Sequence, residues 1–241
     1  MSSLKLLSEL PSNEIVLPSN QDGCDSIPDV ASTYLRHAIG NASPLRSSVR
    51  LEMTGEIKLK KWLPFTATQV VRVDRGFVWS AKVKTGLAFI RGFDQFIDGV
   101  GEMRWKLFGL IPVMSGKGPD ISRSAGDRYA IERVLLPSAF CRHEVRWTGD
   151  AIALTVEAPG VSPITLGLDS SGRVVSVSML RWGNPDGGTF GMFPFGGYVD
   201  SETTWDGYTI PSRLRIGWFF GSDRFEEGEF FRATITHAAF K

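Results

Sequence analysis

The chain has 241 residues, of which 42% are hydrophobic, and its 27 Lys and Arg residues nearly balance its 26 Asp and Glu residues. A β-rich chain of this length commonly forms one domain with a sizeable core. The net charge of +1 leaves no overall field that would attract nucleic acid or an anionic membrane, although a local basic patch is compatible with it. We therefore expect no nucleic-acid partner.

The cysteines and the N-terminal residues bear on the compartment. Cys24 and Cys141 are far apart and form no C-x-x-C pair, which indicates two free thiols in a reducing compartment. The N-terminal apolar patch is interrupted by Glu9, Pro11 and Glu14, so it is too short for a signal sequence. No segment approaches the ~20 apolar residues of a spanning helix. We expect a cytoplasmic protein without a transmembrane segment.

The first half of the chain predicts an arm, a helix and a series of strands. Residues 1–26 are rich in Ser, Asn, Pro and Asp and are typical of a flexible tail or a loosely packed arm. A short helix is predicted between Pro28 and Gly40, because proline suits a first turn and glycine a helix end. From Val49 the hydrophobic period changes to two. Strands are expected at about 48–60, 65–74, 76–84, 86–92 and 99–108.

Two of these strands show which kind of sheet to expect. In residues 65–74 and 76–84, apolar side chains occupy one parity, and mostly threonine, lysine and serine occupy the other. Strands of this kind have one face on a core and one face in water, as in an antiparallel sheet.

The second half repeats the order of helix and strands. A Gly/Pro loop is predicted from Gly109 to Pro119, followed by a helix that Pro137 ends. Further strands are expected at about 143–148, 150–158, 162–169 and 173–182, and after a Gly-rich segment at about 198–206, 212–220 and 228–239. This order predicts an α+β fold in which one curved antiparallel sheet carries helices against one face.

The second predicted helix carries a polar pair, Arg128 and Glu132, one turn apart. If this helix packs into the concave side of the sheet, Glu132 becomes partly dry with Arg128 as its partner. A desolvated carboxylate among aromatic rings is suited to acid or base catalysis, and these two residues are the catalytic candidates. The alternative is a structural pair, either a surface i,i+4 ion pair that contributes little or a buried pair that orients the helix. This alternative is favoured, because a single carboxylate is an incomplete catalytic set.

Other catalytic and cofactor patterns are absent from the sequence. His37, His143 and His237 stand in unrelated contexts, and position 147, one helical turn after His143, is Trp, so the zinc-binding helix motif is missing. The Gly-rich residues 184–198 lack the Lys-Ser or Lys-Thr of a phosphate-binding loop, and no G-x-S-x-G motif occurs. We expect neither a metal nor a cofactor.

The seven Trp and sixteen Phe residues suggest a binding cavity. A β core favours large rings, but a sheet covered by one helix does not use so many, and the surplus is expected to line a pocket. The Gly-rich segment is either a flap packed on the core or a lid over that pocket. The predicted ligand-binding residues are Trp62, Phe65, Trp79, Trp105, Tyr129, Phe190, Met192, Phe193 and Phe195.

Four short motifs follow one another along the chain. W-x-P-F-x-A-x-Q begins at Trp62, D-x-F-x-x-G-x-G-x-M at Asp94, R-Y-x-x-E at Arg128 and G-x-x-I-P at Gly207. Together with their surroundings they cover about residues 28–240. In this combination the chain resembles an uncharacterised bacterial family known only as a domain of unknown function. That family tends to carry a tryptophan between the helix Glu and the following Pro, where this chain has Leu135.

The resemblance implies a fold for residues 27–241, a single domain shaped as a curved, half-open antiparallel β-barrel with helices packed in its concave face. Such a fold is similar to that of the LolA- and LppX-like carriers, which ferry lipoproteins between bacterial membranes and hold acyl chains under a helical lid. Those carriers are exported, whereas we expect no signal sequence in this chain. For a carrier role, the resemblance therefore implies at most the binding of an apolar ligand.

Three functions are compatible with these patterns. The first is binding of an apolar small molecule or lipid in an aromatic-lined cavity. The second is an enzyme of isomerase, cyclase or lyase type that acts on an apolar or polycyclic substrate with Glu132 as acid or base. The third is a protein-interaction module whose Gly-rich flap docks a partner.

Overall fold

The computed structural model describes residues 27–40, 45–142, 144–150, 153–158 and 160–241. The predicted N-terminal arm, residues 1–26, lies outside the described residues. Within them, thirteen strands form one sheet, accompanied by three α-helices and two 3₁₀ turns.

The first half of the sheet is a meander of six strands that follows helix α1 (Asp29–Ile39). The strands are β1 (Ser48–Lys58), β2 (Trp62–Arg72), β3 (Gly76–Thr85), β4 (Ala88–Ile97), β5 (Val100–Leu107) and β6 (Ile111–Lys117).

Helix α2 (Pro119–Glu132) and 3₁₀ turns at Arg133–Leu135 and Pro137–Phe140 connect the two halves. The predicted helix thus ends five residues before Pro137. Helix α3 (Phe225–Gly228) precedes the last strand. The second half consists of β7 (Arg146–Gly149), β8 (Ala153–Ala158), β9 (Val161–Leu168), β10 (Val174–Gly183), β11 (Gly191–Trp205), β12 (Tyr208–Trp218) and β13 (Glu229–Phe240).

The strand order makes the sheet an open barrel. The order is β6-β5-β4-β3-β2-β1-β13-β12-β11-β10-β9-β8-β7. The first and last strands join the two halves by antiparallel pairing that runs from Val49 opposite Phe240 to Ile57 opposite Phe231. Strands β6 and β7 are the two edges. The predicted α+β fold, a half-open antiparallel barrel, is confirmed.

The position of α2 shows how strongly the sheet curves. The helix contacts β3 to β6 on one half and β9 and β10 on the other. Seven strands lie between β5 and β10 in the sheet order, which corresponds to about 38 Å in a flat sheet. A helix of 14 residues is only about 21 Å long. The sheet therefore bends around the helix, and α2 occupies its concave side.

Buried polar contacts from α2 reach both halves of the sheet. Asp127, which is buried, accepts a hydrogen bond from the backbone N–H of Trp182 at 2.7 Å and another from the hydroxyl of Ser162. On the other half, Gln69 donates to Glu132 at 2.6 Å. These bonds specify where the helix lies along the sheet, because an unpaired buried polar group is destabilising.

The apolar side chains of the inner face form the core, together with α1. Tyr34 of α1 is fully buried, and its ring centroid lies 6.2 Å from that of Phe140 and 6.2 Å from that of Trp147. Strands β1 to β3 alternate between buried and exposed residues along much of their length, as the sequence predicts for strands wet on one face.

The prediction of a Gly/Pro loop from Gly109 to Pro119 is wrong, because Ile111–Lys117 forms β6. Proline lacks the N–H that a ladder needs, but it is tolerated on edge strands and at bulges. Pro112 meets both conditions: β6 is an edge strand, and the register shift opposite Pro112 lies between Trp105 and Lys106.

The prediction of a flap over residues 184–198 is also wrong from Gly191 onward, because β11 begins there. The glycines there reflect close packing of strands. A Cβ on Gly196 would lie 2.3 Å from the carbonyl oxygen of Val177, and one on Gly197 would lie 1.8 Å from that of Arg215. Glycine in a strand thus marks the close approach of a neighbouring backbone.

Gly101 of β5 lies against α2, and replacing it tests how closely the helix packs on this strand. A Cβ on Gly101 would lie 2.7 Å from the carbonyl oxygen of Ile121 and 2.7 Å from the Cα of Ser122, both in the helix. We expect Gly101→Ala to displace α2 and lower the free energy of unfolding by about 1–3 kcal/mol, as overpacking does. Thermal unfolding measures this change.

The matched control is Gly188→Ala, because a Cβ on Gly188 meets no atom within 4 Å. Equal melting temperatures for both variants would contradict the packing of α2 against β5.

Candidate functional site

A cavity of about 210 Å³ lies between the inner face of the sheet and the C-terminal part of α2. Most of its wall is apolar and comes from both halves of the sheet, from α2 and from the 3₁₀ turn after it. The apolar lining residues are Met53, Ile57, Trp79, Ile131, Val134, Leu135, Val177, Phe195, Val199, Pro211, Leu214, Ile216, Phe230, Phe231, Ala233 and Ile235. Five polar side chains complete the wall, namely Gln69, Asp94, Arg128, Glu132 and Arg181.

Four of the polar lining residues form one hydrogen-bonded network. Glu132 accepts from Arg128 Nε at 2.7 Å through one oxygen and from Gln69 Nε2 at 2.6 Å through the other. Arg128 Nη1 donates to Asp94 at 3.0 Å, and the indole N–H of Trp105 donates to the other oxygen of Asp94 at 2.9 Å. Both carboxylates are therefore held by donors of the chain, which compensates their burial.

Arg128 is the centre of this network. Burial by itself lowers the pKa of Arg128, but the charges of Glu132 and Asp94 outweigh that effect, so its pKa is raised above the ordinary value. The guanidinium also lies 4.7 Å from the ring centroid of Phe77 and 5.3 Å from that of Trp79. Arg128 is thus a permanent cation whose charge the surrounding residues neutralise.

Arg181 differs from Arg128 because no carboxylate pairs with it within the described residues. Its guanidinium donates to the carbonyl oxygen and the hydroxyl of Ser124 at 3.3 Å each, and it lies over the rings of Phe195 and Trp218. Burial, followed by repulsion from Arg128, lowers the pKa of Arg181 to about 10. At neutral pH it remains a cation, and it has N–H groups beyond the two used on Ser124.

The structure places four of the predicted site residues on the cavity wall. Trp79 and Phe195 are buried and contribute aromatic surface, and Arg128 and Glu132 contribute the charged part of the lining. They come from β3, β11 and α2, so only the folded sheet brings them together.

Two further predicted residues lie behind that wall, and a third is buried elsewhere. The ring centroids of Phe65 and Trp105 are each 5.7 Å from that of Trp79, so both rings support the tryptophan that faces the cavity. Tyr129 is buried elsewhere in the core, and its hydroxyl donates to the carbonyl oxygen of Arg72 at 2.8 Å.

The remaining predicted residues are not brought to the cavity wall. Trp62 has the opposite parity to the buried Phe65, and its ring lies 4.2 Å from the guanidinium of Arg232. The others stand in or just before β11. Phe190 stacks on Trp182, Met192 is exposed with its sulfur 3.5 Å from Arg123 Nη2, and Phe193 packs against Phe219.

Sequence reasoning missed Gln69, Asp94 and Arg181. Two of them left a signal, because Gln69 and Arg181 occupy the inward parity of their strands, where Val177 and Met179 precede Arg181 on β10. A polar residue among inward apolar neighbours marks a buried polar site. Asp94 left no signal in the alternation of apolar residues, since β4 is half-buried along nearly its whole length, and it stood out only as the first residue of the D-x-F-x-x-G-x-G-x-M motif.

The described residues contain no group of three or more His, Cys, Asp or Glu side chains that could hold a metal, and none of their helices is both long and apolar enough to cross a membrane. His143 and Cys24 lie outside the described residues. Burial raises the pKa of the Cys141 thiol to about 12, so Cys141 is a poor nucleophile at neutral pH.

Comparison with known proteins gives the family of this chain. The model of a family described as "Family of unknown function (DUF6920)" matches residues 25–240, and the chain belongs to that family. No curated protein matches the sequence.

Three solved structures are similar to this chain over most of their length. A putative outer membrane lipoprotein-sorting protein domain from Vibrio parahaemolyticus has a TM-score of 0.46 at 9% identity and covers 88% of this chain and 91% of its own. A DUF1329 family protein from Desulfovibrio piger has a TM-score of 0.47 at 10% identity, covering 90% and 94%. A LolA superfamily protein from Nitrosomonas europaea has a TM-score of 0.41 at 9% identity, also covering 90% and 94%.

Because of the polar network, we expect removal of the Glu132 carboxylate to lower the stability of the fold strongly. Glu132→Leu leaves the cation of Arg128 and the amide of Gln69 without this partner in a partly buried place. Breaking a buried pair in this way is expected to lower the free energy of unfolding by about 3 kcal/mol, as measured by urea denaturation.

The control is Glu227→Leu, which removes one of the two carboxylate partners of Arg224, in an exposed pair spaced three residues apart. Exposed pairs contribute little, so its unfolding midpoint is expected to change far less. Similar losses in the two variants would contradict the structural role of the network.

Proposed function

We propose that this chain binds a lipid or another apolar small molecule in the cavity between the sheet and α2. The observation that supports this most is the apolar wall around about 210 Å³ of space. For comparison, an apolar cavity of about 150 Å³ is enough to bind benzene. The cavity is therefore large enough for at least a ring or a segment of an alkyl chain.

The free energy of an empty cavity supports the same proposal. Protein interiors are close-packed, and voids larger than a water molecule are few. At ~24 cal/mol per Å³, a closed and wholly apolar void of this size would reduce stability by on the order of 5 kcal/mol. That figure is an upper bound for this cavity, because five polar side chains form part of its wall. A bound apolar ligand restores the missing contacts with the wall, so filling the cavity is favourable for ligand and protein alike.

The polar part of the wall favours a ligand with an anionic end. Asp94, Arg128 and Glu132 satisfy one another, which leaves Arg181 as the cation that can accept a new partner. Arginine pairs well with carboxylate and phosphate oxygens. A fatty acid, or a lipid with a similar head, would place its chain along the apolar wall and its head at Arg181.

The enzyme predicted as an alternative receives less support from the site. Glu132 lines the cavity, but both its oxygens already accept hydrogen bonds from Arg128 and Gln69. A role as acid or base requires Glu132 to exchange a proton with a substrate while it holds this network. Binding makes no such demand, and for that reason it is the function we propose.

A change that fills the cavity tests the proposal. Ala233 of β13 is buried and lines the cavity, so Ala233→Phe places a ring in the space that the ligand would occupy. We expect the affinity for a fluorescent fatty acid to fall at least about tenfold, since the loss of a few buried methylene groups is sufficient for that. Fluorescence titration of the full chain measures the affinity.

The matched control is Ala239→Phe on the same strand. Ala239 is only half-buried and pairs with the exposed Arg50, so it lies on the outer face. Retention of wild-type affinity in Ala239→Phe but not in Ala233→Phe supports the cavity as the binding site. Equal affinities in all three proteins would contradict it.

The head-group contact predicts a difference between two ligands. Arg181→Met should weaken binding of a fatty acid by about 10–100-fold, because a hydrogen bond to a charged group contributes ~1.5–3 kcal/mol. The methyl ester of the same acid lacks the charge, so its affinity should change little. Arg123→Met is the control, because Arg123 lies over the ring of Trp182 and is not part of the cavity wall. Equal losses for acid and ester would contradict the contact.

A further inference from the structure

Three turns lie side by side at one end of the sheet. They are residues 59–61 between β1 and β2, 86–87 between β3 and β4, and 108–110 between β5 and β6. Phe65 pairs with Val83, which sets the start of β2 beside the end of β3. Successive turns are two strands apart, or ~10 Å. They therefore form one surface, called here the tip surface, which consists of residues 59–61, 86–87 and 108–111.

The tip surface is apolar although it faces solvent. Leu87 is fully exposed, Leu110 is 76% exposed, and Leu59, Phe108 and Ile111 are exposed as well. Turns of this kind usually carry Gly, Asn, Asp, Ser or Pro. Large exposed apolar side chains that lie together mark a site of interaction.

The turn at Phe108 is conformationally unusual. Phe108 has a φ of +52° and Gly109 a φ of +73°, and Leu110 donates its backbone N–H to the carbonyl oxygen of Leu107 at 3.0 Å. Two positive φ values at the centre of a tight turn favour Asn-Gly. A bulky residue in the left-handed region is an outlier, and such strain is concentrated at functional sites. Here it sets an aromatic ring at the tip, edge-on to Phe89.

Lysines stand in and next to these apolar turns. Residues 57–62, 82–91 and 104–113 contain no Asp or Glu. None of their lysines forms an ion pair with a carboxylate in the described part of the chain. The whole chain has a net charge of only +1, so this charge is a local concentration. The six lysines are Lys58, Lys60, Lys61, Lys82, Lys84 and Lys106.

From this arrangement we infer that the tip surface docks onto an anionic lipid membrane. Exposed apolar side chains enter the boundary between head groups and acyl chains, and flanking lysines attract anionic head groups. A nucleic acid would use the lysines but not the apolar tips. A second copy of this chain, docked by the same surface, would set lysine against lysine. An anionic bilayer is the partner that uses both features.

The tip surface adjoins the inner cavity. Ile57 lines the cavity and lies two residues before Leu59. A second cavity of about 310 Å³ shares Phe230 with the first. It is lined by Lys58, Leu59 and Lys60 on the β1 side and by Asp186, Glu227 and Glu229 on the other, so the excess of lysine is confined to the turns themselves. Docking would therefore bring the β1 and β13 side of the ligand cavity close to the membrane. The docking itself does not depend on whether the cavity binds a ligand.

Vesicle co-sedimentation of the full chain tests the inference. One set of vesicles contains equal parts of phosphatidylcholine and phosphatidylglycerol, and the other contains phosphatidylcholine alone. We expect binding to the anionic vesicles that weakens as salt is added, and much weaker binding to the neutral ones. Leu87→Asn with Leu110→Asn should lower the affinity about 100-fold, at about tenfold for each leucine removed from the membrane.

A second variant tests the charges. Lys82→Gln, Lys84→Gln and Lys106→Gln together should lower binding to anionic vesicles by about fivefold for each lysine. The control for both variants is Val175→Asn with Leu180→Asn, which changes exposed apolar residues of β10 that lie off the tip surface. Circular dichroism confirms that every variant is folded.

Three results would overturn the inference. The first is no binding to either set of vesicles. The second is binding that the tip variant and the β10 variant reduce equally. The third is binding of duplex DNA or RNA, seen as slower migration of the nucleic acid in a gel, or a stable dimer that the tip variant no longer forms, in either case without vesicle binding. Uptake of a soluble fluorescent fatty acid by the tip variant is expected to match that of the wild type, so failure of docking is distinguishable from failure of ligand binding.

Discussion

The buried polar contacts of α2 are the constraint on which the rest of this structure depends. Glu132 and Arg128 bond to Gln69 and Asp94 on one half of the sheet, and Asp127 bonds to the other half. Because each bond has a defined length and direction, the helix can satisfy all of them in only one place. The curvature of the sheet and the open barrel follow from a short helix that must reach both halves.

The cavity is a consequence of the same constraint. The carboxylates and guanidiniums of α2 and its partners occupy part of the concave face, where apolar side chains would otherwise pack to full density. The helix is therefore anchored by polar groups, and apolar side chains of β1, β12 and β13 line the space beside it. A single arrangement thus accounts for the rigid position of α2 and for an apolar space with a charged boundary.

The fold was largely predictable from the sequence, and the site only in part. Alternation along β1 to β3 and the helical spacing around Arg128 are local patterns that survive folding. The aromatic residues of the cavity could not be selected in this way, because ring composition does not say which side of a strand faces inward. Trp62 and Phe65 are three residues apart and lie on opposite faces. Glycine-rich residues 191–197 were mistaken for a flap because close packing between strands is visible only in three dimensions.

We propose that the cavity between the sheet and α2 holds an apolar ligand, and native mass spectrometry of the chain purified from its own host, followed by mild denaturation, is the first test. We expect a bound mass that is released on denaturation and proves to be a lipid or another apolar molecule. A chain that is empty in every preparation, and that takes up no fatty acid when one is supplied, would rule this proposal out.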